Sequence, residues 1–258
     1  MRSLLEDWPA VAGRLREAGS IALFLDFDGT LAGLKDDPRE VVLNRAARAA
    51  LMRLARNPTV RVCIISGRRL ADLRAIVGVP GVLYVGVHGG DTGFADLSSD
   101  VGRTVADARR EMAARLNGAV SVNGSGNVSI EDKGMAFAVH HRRAQAAETA
   151  HAREILGHVV EQFGGALRIV PGDRVWEVLP KEIRGKGYAA RRLWRLQPAG
   201  ALPIYIGNDD TDEAAFQALA QGLTARVGAA RKTHARYFLK NPPEVARFLE
   251  KLAQSTAC

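Results

Sequence analysis

Three short apolar runs early in the chain constrain its fold more than any other feature. Residues Ile21–Leu25, Val60–Ile65 and 82–87 are almost continuously apolar, as is typical of strands that are buried on both faces of a parallel sheet. Helical patterns at 43–56 and 67–77 alternate with these runs, and parallel neighbours need such crossover segments. This β-α-β-α-β order predicts an α/β fold with a doubly wound, mostly parallel, Rossmann-like sheet.

The middle of the chain has a different pattern. Helical stretches near 101–116 and 144–163 are each followed by short strand-like runs, and the runs 119–123 and 127–131 are in hairpin-like order. The turn residues between the strands are Gly124, Ser125 and Gly126, then Asp132, Lys133 and Gly134, then Pro171, Gly172 and Asp173. We therefore expect residues 1–96 and 184–258 to form a discontinuous core, and 97–183 to form an inserted α+β domain.

The composition predicts a globular cytoplasmic protein. Hydrophobic residues make up 47% of the 258 residues, which is enough for a sizeable core. No apolar run reaches the length that a membrane span needs, and the N-terminal segment, with Glu6 and Asp7, does not resemble a secretory signal. The two cysteines do not predict a disulfide framework: Cys63 lies in an apolar run, where we expect it to be core, and Cys258 is the last residue.

The formal net charge of +8 raises the question of a nucleic-acid partner. The arginines are scattered over the predicted helices rather than gathered in a block with aromatic residues, and no zinc-finger spacing is present. We interpret the charge as a solvated, Arg-rich surface. We expect a small-molecule partner, no nucleic acid and no membrane, and steeply salt-dependent binding of DNA or RNA would contradict this interpretation.

Polar residues directly follow several of the predicted strands. Asp26 and Asp28 follow the first run, Ser66 follows the second, and the acidic segment 208–213 follows a later one. Lys186 lies between two glycines where the α/β pattern resumes. Because the carboxyl ends of parallel strands lie along one edge of a sheet, where ligands of α/β folds bind, we expect these residues to converge.

These side chains suit phosphoryl transfer with a magnesium ion. A carboxylate such as Asp26 can attack phosphorus and form an aspartyl phosphate, and Mg²⁺ prefers hard oxygen ligands. Ser66 and the helix N-terminus behind it can hold phosphate oxygens. Lys186 can neutralise the charge that develops in the reaction, and Asp28 can give a proton to the leaving alkoxide and then take one from water.

The motifs resemble the haloacid dehalogenase (HAD) superfamily of phosphatases. The matching residues are Asp26-Phe27-Asp28-Gly29-Thr30-Leu31, Ser66, Lys186 and Gly207-Asn208-Asp209-Asp210-Thr211-Asp212-Glu213. The chain further resembles the trehalose-6-phosphate phosphatases over almost its whole length. That closer resemblance is carried by Ile65-Ser66-Gly67-Arg68, Gly86-Val87-His88-Gly89, Glu131-Asp132-Lys133-Gly134, Ala138, His140-His141-Arg142, and Glu177 with Pro180.

The resemblance implies a HAD-like catalytic core with an inserted cap that selects the substrate, and it implies a role for each matched residue. The catalytic residues would be Asp26 as nucleophile, Asp28 as general acid and base, Ser66 and Lys186. The metal ligands would be Asp26, the backbone carbonyl of Asp28, and Asn208 or Asp209. The substrate would contact Ser66, Gly67, Arg68, His88, Glu131, Lys133, His140 and Glu177, with Asp212 supporting the site from behind.

By the same resemblance, such a chain hydrolyses trehalose 6-phosphate to trehalose and phosphate, the last step of trehalose synthesis, in a Mg²⁺-dependent reaction through an aspartyl phosphate. A functional link to a trehalose-6-phosphate synthase would follow. Other readings remain open: a related phosphatase acting on sucrose phosphate or mannosyl-phosphoglycerate, a phosphomutase, and a non-catalytic sugar-phosphate sensor. Release of free phosphate separates a phosphatase from a mutase, and the intact Asp26, Asp28, Ser66 and Lys186 argue against a sensor.

Three positions depart from the pattern of the family that the chain resembles. Asn208 stands where an Asp is usual, so either Asn208 or Asp209 carries the metal. His141 stands where a Tyr is common, and Leu179 replaces a frequent basic residue. The oxygen-rich ligand set leaves the choice among Mg²⁺, Mn²⁺ and Co²⁺ open. Ser66 is also expected to cap the predicted helix at 67–77.

Overall fold

The structure is a computed structural model, and it describes residues 1–35, 37–93, 99–116, 120–122, 127–229 and 232–256. The chain divides into two compact units, one formed by Met1–Thr92 with Arg184–Cys258 and the other by Gly93–Ile183. The predicted turn at Gly124, Ser125 and Gly126, the predicted boundary between 96 and 97, and Cys258 lie outside the described residues.

Strands and helices alternate along much of the chain. The strands are β1 (Arg2–Ser3), β2 (Ile21–Leu25), β3 (Val60–Ile65), β4 (Leu83–Val85), β5 (Val120–Val122), β6 (Val128–Asp132), β7 (Phe137–His140), β8 (Leu167–Gly172), β9 (Val175–Pro180), β10 (Leu202–Gly207), β11 (Leu223–Val227) and β12 (Tyr237–Leu239). The helices are α1 (Trp8–Glu17), α2 (Arg45–Arg56), α3 (Leu70–Val77), α4 (Ser99–Arg115), α5 (Ala146–Gln162), α6 (Lys186–Arg195), α7 (Glu213–Ala218) and α8 (Pro242–Ser255). Short 3₁₀ turns cover Pro38–Glu40, Val87–Gly89 and Asp210–Asp212.

The first unit is built on one sheet with the strand order β1-β12-β11-β10-β2-β3-β4. Every pairing in it is parallel, as the apolar runs predicted. In the interior of this sheet, Leu23 of β2 lies opposite Ile204 of β10 on one side and Val62 of β3 on the other. The α/β fold class is therefore confirmed. At the carboxyl edge of the sheet, the end of β2 lies between the ends of β10 and β3.

Helices cover both faces of this parallel sheet. On one face α1, α2, α3 and α8 pack with Ile21, Leu23 and Leu25, and on the other α6 and α7 pack with Ala22 and Phe24. Because successive strand residues point to opposite faces, both faces of β2 must be apolar, which explains its unbroken apolar run. Burying one large side chain such as Leu23 contributes roughly 1.5–3 kcal/mol to stability.

The third predicted strand is shorter than its apolar run. β4 ends at Val85, whereas the run continues to Val87. Val87 and His88 adopt left-handed backbone conformations, with φ of 47° and 54°, which a strand does not allow. Gly86 instead bridges to Asp91, so the chain turns sharply at the edge of the sheet.

Two expectations from composition can be compared with the structure. Cys63 is buried in the core of the first unit, as predicted, and burial raises the pKa of its thiol well above the ordinary value. In the described ranges, none of the helices combines the length and the apolar character that crossing a bilayer requires.

The second unit contains a five-stranded sheet with the order β5-β6-β7-β9-β8. Helices α4 and α5 pack on one face of it through an apolar cluster that includes Met112, Phe137 and Leu156. The pairs β6–β7, β7–β9 and β8–β9 are antiparallel, but β5 and β6 are parallel. The expectation that 119–123 and 127–131 form a hairpin is therefore wrong. The sequence pattern could not reveal this, because side chains alternate between the two faces in the same way in parallel and antiparallel strands.

Candidate active site

Asp26 is the first residue beyond β2, and its side chain is buried at the carboxyl edge of the parallel sheet. Its backbone N–H donates to the Ile206 carbonyl of the neighbouring β10 at 2.9 Å, which continues the strand pairing by one residue. The Phe27 carbonyl then accepts from the N–H of Leu31 at 2.9 Å and of Ala32 at 3.1 Å, which closes a tight turn. Asp26 is 3% exposed, so its charge needs a partner inside the protein.

Lys186 supplies that partner. Its ammonium, at the first position of α6, donates to Asp26 Oδ1 at 2.7 Å and to Asp212 Oδ1 at 2.9 Å. All three side chains are almost fully buried. Helix α6 reaches this place because Gly187 allows close packing, since a Cβ there would lie 2.5 Å from the Ala214 carbonyl oxygen. The structure therefore joins residues that lie far apart in the sequence, as predicted for the edge of a parallel sheet.

Asp212 is the second centre of this network. Its Oδ2 accepts the backbone N–H groups of Asn208 at 3.0 Å and Asp209 at 2.9 Å, and its Oδ1 also accepts the hydroxyl of Tyr205 at 2.8 Å. Gly207 is required beside it, because a Cβ would lie 2.3 Å from the Asp212 carboxyl carbon. Asp212 thus ties the loop after β10 to Lys186.

Burial and charge together set the protonation of this network. Burial raises the pKa of Asp26 to about 7, against the opposing effect of Lys186 and with a further contribution from Asp212. Burial also opposes the charged form of Lys186, yet the carboxylates of Asp212 and Asp26 raise its pKa above the ordinary value. Lys186 is therefore a permanent cation, and added positive charge beside Asp26 would favour its carboxylate form.

Oxygen atoms converge beside Asp26. One terminal atom of the Asn208 amide lies 2.9 Å from Asp26 Oδ2, 3.1 Å from Thr30 Oγ1 and 2.7 Å from the backbone oxygen of Asp28. As nitrogen, this atom donates to those oxygens. As oxygen, it places the Asn208 side chain against the acceptor oxygens of Asp26 and Asp28, an arrangement that a cation stabilises. Gly29 is needed here, because a Cβ would lie 2.3 Å from the other terminal atom of the Asn208 amide.

The same oxygens fit a small, hard cation. Separations of 2.7 and 2.9 Å are close to the roughly 2.9 Å between adjacent ligands of octahedral Mg²⁺. The Asp209 carboxylate, by contrast, accepts backbone N–H groups and caps the 3₁₀ turn Asp210–Asp212. Among the described residues, no three His, Cys, Asp or Glu side chains are grouped as metal ligands, so a cation here would also use a backbone carbonyl and the Asn208 oxygen.

Ser66 follows β3 in a turn that holds the neighbouring loop. Its Oγ accepts the Arg68 N–H at 3.1 Å, and its carbonyl accepts the His88 N–H at 2.9 Å. The Arg68 carbonyl likewise accepts the N–H of Val87 at 2.9 Å. Because these carbonyls bond to the 86–90 loop, the helix starts at Leu70 and not at 67, and the expectation that Ser66 caps it is wrong.

Asp28 and Arg68 form a bidentate ion pair. The guanidinium Nε donates to Asp28 Oδ2 at 2.7 Å and Nη2 donates to Oδ1 at 2.7 Å. The Asp28 carboxylate is partly exposed, unlike that of Asp26. Arg68, predicted to touch the substrate, is therefore placed directly on the second carboxylate of the motif.

Four further predicted residues share one face of the sheet in the second unit. Glu131 lies opposite Ala138, which lies opposite Glu177 on the next strand. His140 contacts Glu131 through Nε2 at 2.7 Å, and Lys133 donates to Glu177 at 3.0 Å. Although burial opposes it, hydrogen bonding to His140 and the charge of Lys133 lower the pKa of Glu131. This face is opposite to the one that α4 and α5 cover, and it is rich in charged groups.

A family model for trehalose-phosphatase matches residues 24–243. The chain belongs to the trehalose-phosphatase family. The trehalose-phosphate phosphatase of Mycobacterium avium is 35% identical over 253 residues, which are 90% of this chain and 62% of that protein. That of Mycobacterium tuberculosis (strain H37Rv) is 33% identical over 253 residues, with 90% of this chain and 61% of that protein covered. The chain thus spans less than two thirds of the length of these curated relatives.

Solved structures show the same fold as this trehalose-phosphatase family member. The C-terminal domain of trehalose-6-phosphate phosphatase from C. albicans has a TM-score of 0.78 at 23% identity and covers 98% of both chains. Trehalose-6-phosphate phosphatase from Aspergillus fumigatus has a TM-score of 0.67 at 28% identity and covers 99% of both. A haloacid dehalogenase-like hydrolase from Bacteroides thetaiotaomicron, with a TM-score of 0.63 at 17% identity, covers 90% of this chain and 99% of that one. The predicted HAD-like fold is therefore confirmed.

Sequence reasoning did not single out Tyr205 as a part of the site. Its hydroxyl lies in the apolar strand β10 and is fully buried, and a buried hydroxyl requires a hydrogen-bond partner. Burial and the charge of Asp212 raise its pKa well above the ordinary value, so Tyr205 is a neutral donor to Asp212. The sequence feature that could have indicated this role is a single tyrosine between two isoleucines in an apolar strand.

Proposed function

We propose that this chain is a phosphoric monoester hydrolase that converts trehalose 6-phosphate to trehalose and phosphate through an aspartyl phosphate on Asp26. The observation that carries the proposal is the buried Asp26–Lys186–Asp212 network beside a set of converging oxygens. Membership of the trehalose-phosphatase family supports the substrate. A carboxylate held by a permanent cation at the edge of a parallel sheet is suited to attack on phosphorus.

The proposed cofactor is Mg²⁺, held by Asp26 Oδ2, the backbone oxygen of Asp28 and the side-chain oxygen of Asn208. When bound, the ion would neutralise charge on the phosphoryl oxygens and orient them toward Asp26. We favour Asn208 over Asp209 as a ligand because the amide already faces Asp26 and Asp28, whereas the Asp209 carboxylate is engaged by backbone N–H groups. Asn208 ligates with an uncharged oxygen, so Asp26 supplies the only carboxylate in this ligand set.

Asp26 and Asp28 divide the proposed chemistry between them. Since Oδ2 of Asp26 faces Asn208, Oδ1 attacks phosphorus, and the bond from phosphorus to the sugar oxygen breaks. Protonated Asp28 gives its proton to that leaving oxygen, which departs as the trehalose hydroxyl. Asp28 then removes a proton from water, the oxygen of this water attacks phosphorus, and inorganic phosphate leaves as Asp26 is restored.

Ser66 and Lys186 are proposed to hold the phosphoryl group. The Ser66 oxygen accepts the Arg68 N–H, so its hydroxyl hydrogen is free to point elsewhere and donate to a phosphate oxygen. Lys186 donates to the attacking oxygen of Asp26 and stabilises the charge that builds on phosphorus. Gly67 and His88 lie in the same pair of turns, and we propose them as further contacts to the substrate.

The charged face of the second unit is proposed to bind the sugar. Carboxylates of Glu131 and Glu177 accept hydrogen bonds, and Lys133 donates them, so together they can orient a set of hydroxyl groups. His140 fixes the Glu131 carboxylate at 2.7 Å. By this proposal residues 97–183 form the cap that determines specificity.

The same proposal sets the expected surroundings of the enzyme. A functional link to a trehalose-6-phosphate synthase, the class of enzyme that would supply this substrate, is part of the proposal. The reduced, buried Cys63 is compatible with the cytoplasm as the place where both act.

Phosphate release from a panel of sugar phosphates tests the proposed function. We expect release from trehalose 6-phosphate, and not from sucrose phosphate or mannosyl-phosphoglycerate, because the family model that matches residues 24–243 is that of trehalose-phosphatase. Chelation should abolish the release and added Mg²⁺ should restore it, because the phosphoryl charge would otherwise face the Asp26 carboxylate. Release from another sugar phosphate alone would overturn the substrate, and no release from any compound would favour a non-catalytic sensor.

Replacing Glu131 with Gln should impair recognition of the sugar and leave the phosphoryl chemistry intact. A hydrogen bond to a charged group contributes about 1.5–3 kcal/mol, so kcat/KM for trehalose 6-phosphate should fall by roughly 10- to 100-fold. Hydrolysis of p-nitrophenyl phosphate, which has no sugar, should change by less than about twofold. The exposed Glu154→Gln on α5 is the matched control, and an equal loss on both substrates would show that Glu131 does not act on the sugar.

A further inference from the structure

The side chain of Arg68 is fixed in the structure from several directions. Its guanidinium grips both oxygens of Asp28 at 2.7 Å and donates through Nη2 to the Pro38 carbonyl at 2.8 Å. Its Cζ lies 5.4 Å from the centroid of the Phe27 ring. The Arg68 backbone is also held, by Ser66 Oγ and by the Val87 N–H. The orientation of the guanidinium plane is therefore fixed by contacts to the side chain of Arg68 and by hydrogen bonds to its backbone.

We propose that Arg68 is a positioning residue that orients the Asp28 carboxyl group for proton transfer, in place of the substrate contact that the family resemblance implies. The inference rests on the proposed function, because it assumes that Asp28 is the general acid and base. A carboxylate has about four lone-pair sites, and the guanidinium occupies two of them. The remaining sites can carry the proton to the leaving oxygen or take one from water.

The bidentate contact with Asp28 explains why position 68 is an arginine and not a lysine. Two parallel N–H donors fix the plane of a carboxylate, whereas an ammonium is a point charge that leaves the carboxylate free to turn. Asp28 needs this restraint because it lies in a turn outside β2 and is partly exposed, so the sheet does not fix its side chain. Asp26 needs no such clamp, since burial and Lys186 hold it.

Substrates with different leaving groups can show whether Arg68 positions Asp28 or binds the substrate. A sugar alkoxide needs a proton when it departs, whereas p-nitrophenolate is a stable anion that departs without one. With p-nitrophenyl phosphate, Asp28 is therefore needed only to activate water for hydrolysis of the aspartyl phosphate. A variant with a misplaced Asp28 carboxyl should form the aspartyl phosphate normally from this substrate and then stall.

Rapid-mixing kinetics of the full chain with p-nitrophenyl phosphate and Mg²⁺ test the proposal. For Arg68→Gln we expect a burst of about one p-nitrophenolate per site. The substrate concentration that gives half of the maximal burst rate should equal that of the wild type. The steady rate after the burst should be roughly 10- to 100-fold below that of the wild type. Asp28→Asn should behave alike, and the double variant should be no slower than Asp28→Asn. Arg68→Lys should give an intermediate rate, and the exposed neighbour variant Arg69→Gln should match wild type.

Two results would overturn the positioning role. One is a raised half-saturating concentration with an unchanged steady rate, which would place Arg68 on the substrate phosphate. The other is a loss in the double variant that equals the product of the two single losses, which would make the residues independent. If Arg68→Gln fails to fold, Arg68→Lys carries the same comparison. A wild type that cleaves p-nitrophenyl phosphate but not trehalose 6-phosphate would contradict only the proposed substrate.

Discussion

Replacing Asp26 with Asn is expected to abolish phosphate release from every substrate while the chain still folds. An amide cannot form the acyl phosphate, and loss of a nucleophile reduces kcat by about 10⁴-fold or more. The fold should persist because Asn matches Asp in shape and because Lys186 keeps its contact with Asp212 at 2.9 Å. Phosphate release in the presence of Mg²⁺ measures the loss of activity, and urea unfolding measures whether the variant still folds. A mass shift of the wild-type protein after quenching with acid would report the aspartyl phosphate.

The stability of Asp26→Asn relative to the wild type should increase as the pH rises. Burial raises the pKa of Asp26 from its ordinary value of 3.8 to about 7, so the folded state binds the proton more tightly than the unfolded state. Ionisation of Asp26 therefore lowers the free energy of unfolding of the wild type as the pH rises from about 4 to about 7. In chelator, Asp26→Asn should be more stable than wild type above about pH 7 and equally stable below about pH 4.

Matched controls separate the chemistry from the fold. Asp72→Asn, at an exposed position on α3, removes one carboxylate from the same unit and should retain wild-type turnover. Residual turnover of more than about one per cent in Asp26→Asn would refute Asp26 as the nucleophile. A variant less stable than wild type at pH 8 would instead show that the Asp26 charge is a net stabilising part of the network.

The sequence predicted which residues come together where the strands determine their positions. Asp26 and Ser66 each follow an apolar run, and parallel strands end along one edge, so their proximity follows from strand order alone. Lys186 could be predicted only as a nearby cation. Its contact with Asp26 depends on the packing of α6 against α7 through Gly187, which is a tertiary feature that no local pattern encodes.

The features that sequence reasoning missed are those that depend on turns and on side-chain geometry. The Arg68 fork on Asp28 requires that two turns meet, and the left-handed φ of Val87 and His88 cannot be recognised from residue types that normally avoid it. The parallel pairing of β5 with β6 was missed because polarity alternates equally in both strand directions. Each of these results from long-range packing rather than from local propensity.

Replacing Lys186 with Met is expected to cost both activity and stability. The variant would leave the carboxylates of Asp26 and Asp212 buried next to each other with no cation, and breaking a buried ion pair in this way costs about 3–5 kcal/mol. Turnover should fall by about 10²–10³-fold, as when one stabilising donor is removed from an active site. Urea unfolding at pH 8 in chelator and phosphate release in Mg²⁺ measure the two losses.

Combining Lys186→Met with Asp26→Asn should separate these two losses. If the destabilisation arises from uncompensated negative charge, Asp26→Asn should stabilise Lys186→Met at pH 8 by more than it stabilises the wild type, so the two changes would not be additive. Activity should stay at the level of Asp26→Asn alone, because the nucleophile is already gone. Lys186→Arg is the companion variant, since it keeps the charge within a site sized for an ammonium. Additive changes in the free energy of unfolding would contradict the pairing of Lys186 with Asp26 and place its main contact on Asp212, which the Tyr205 hydroxyl also supports.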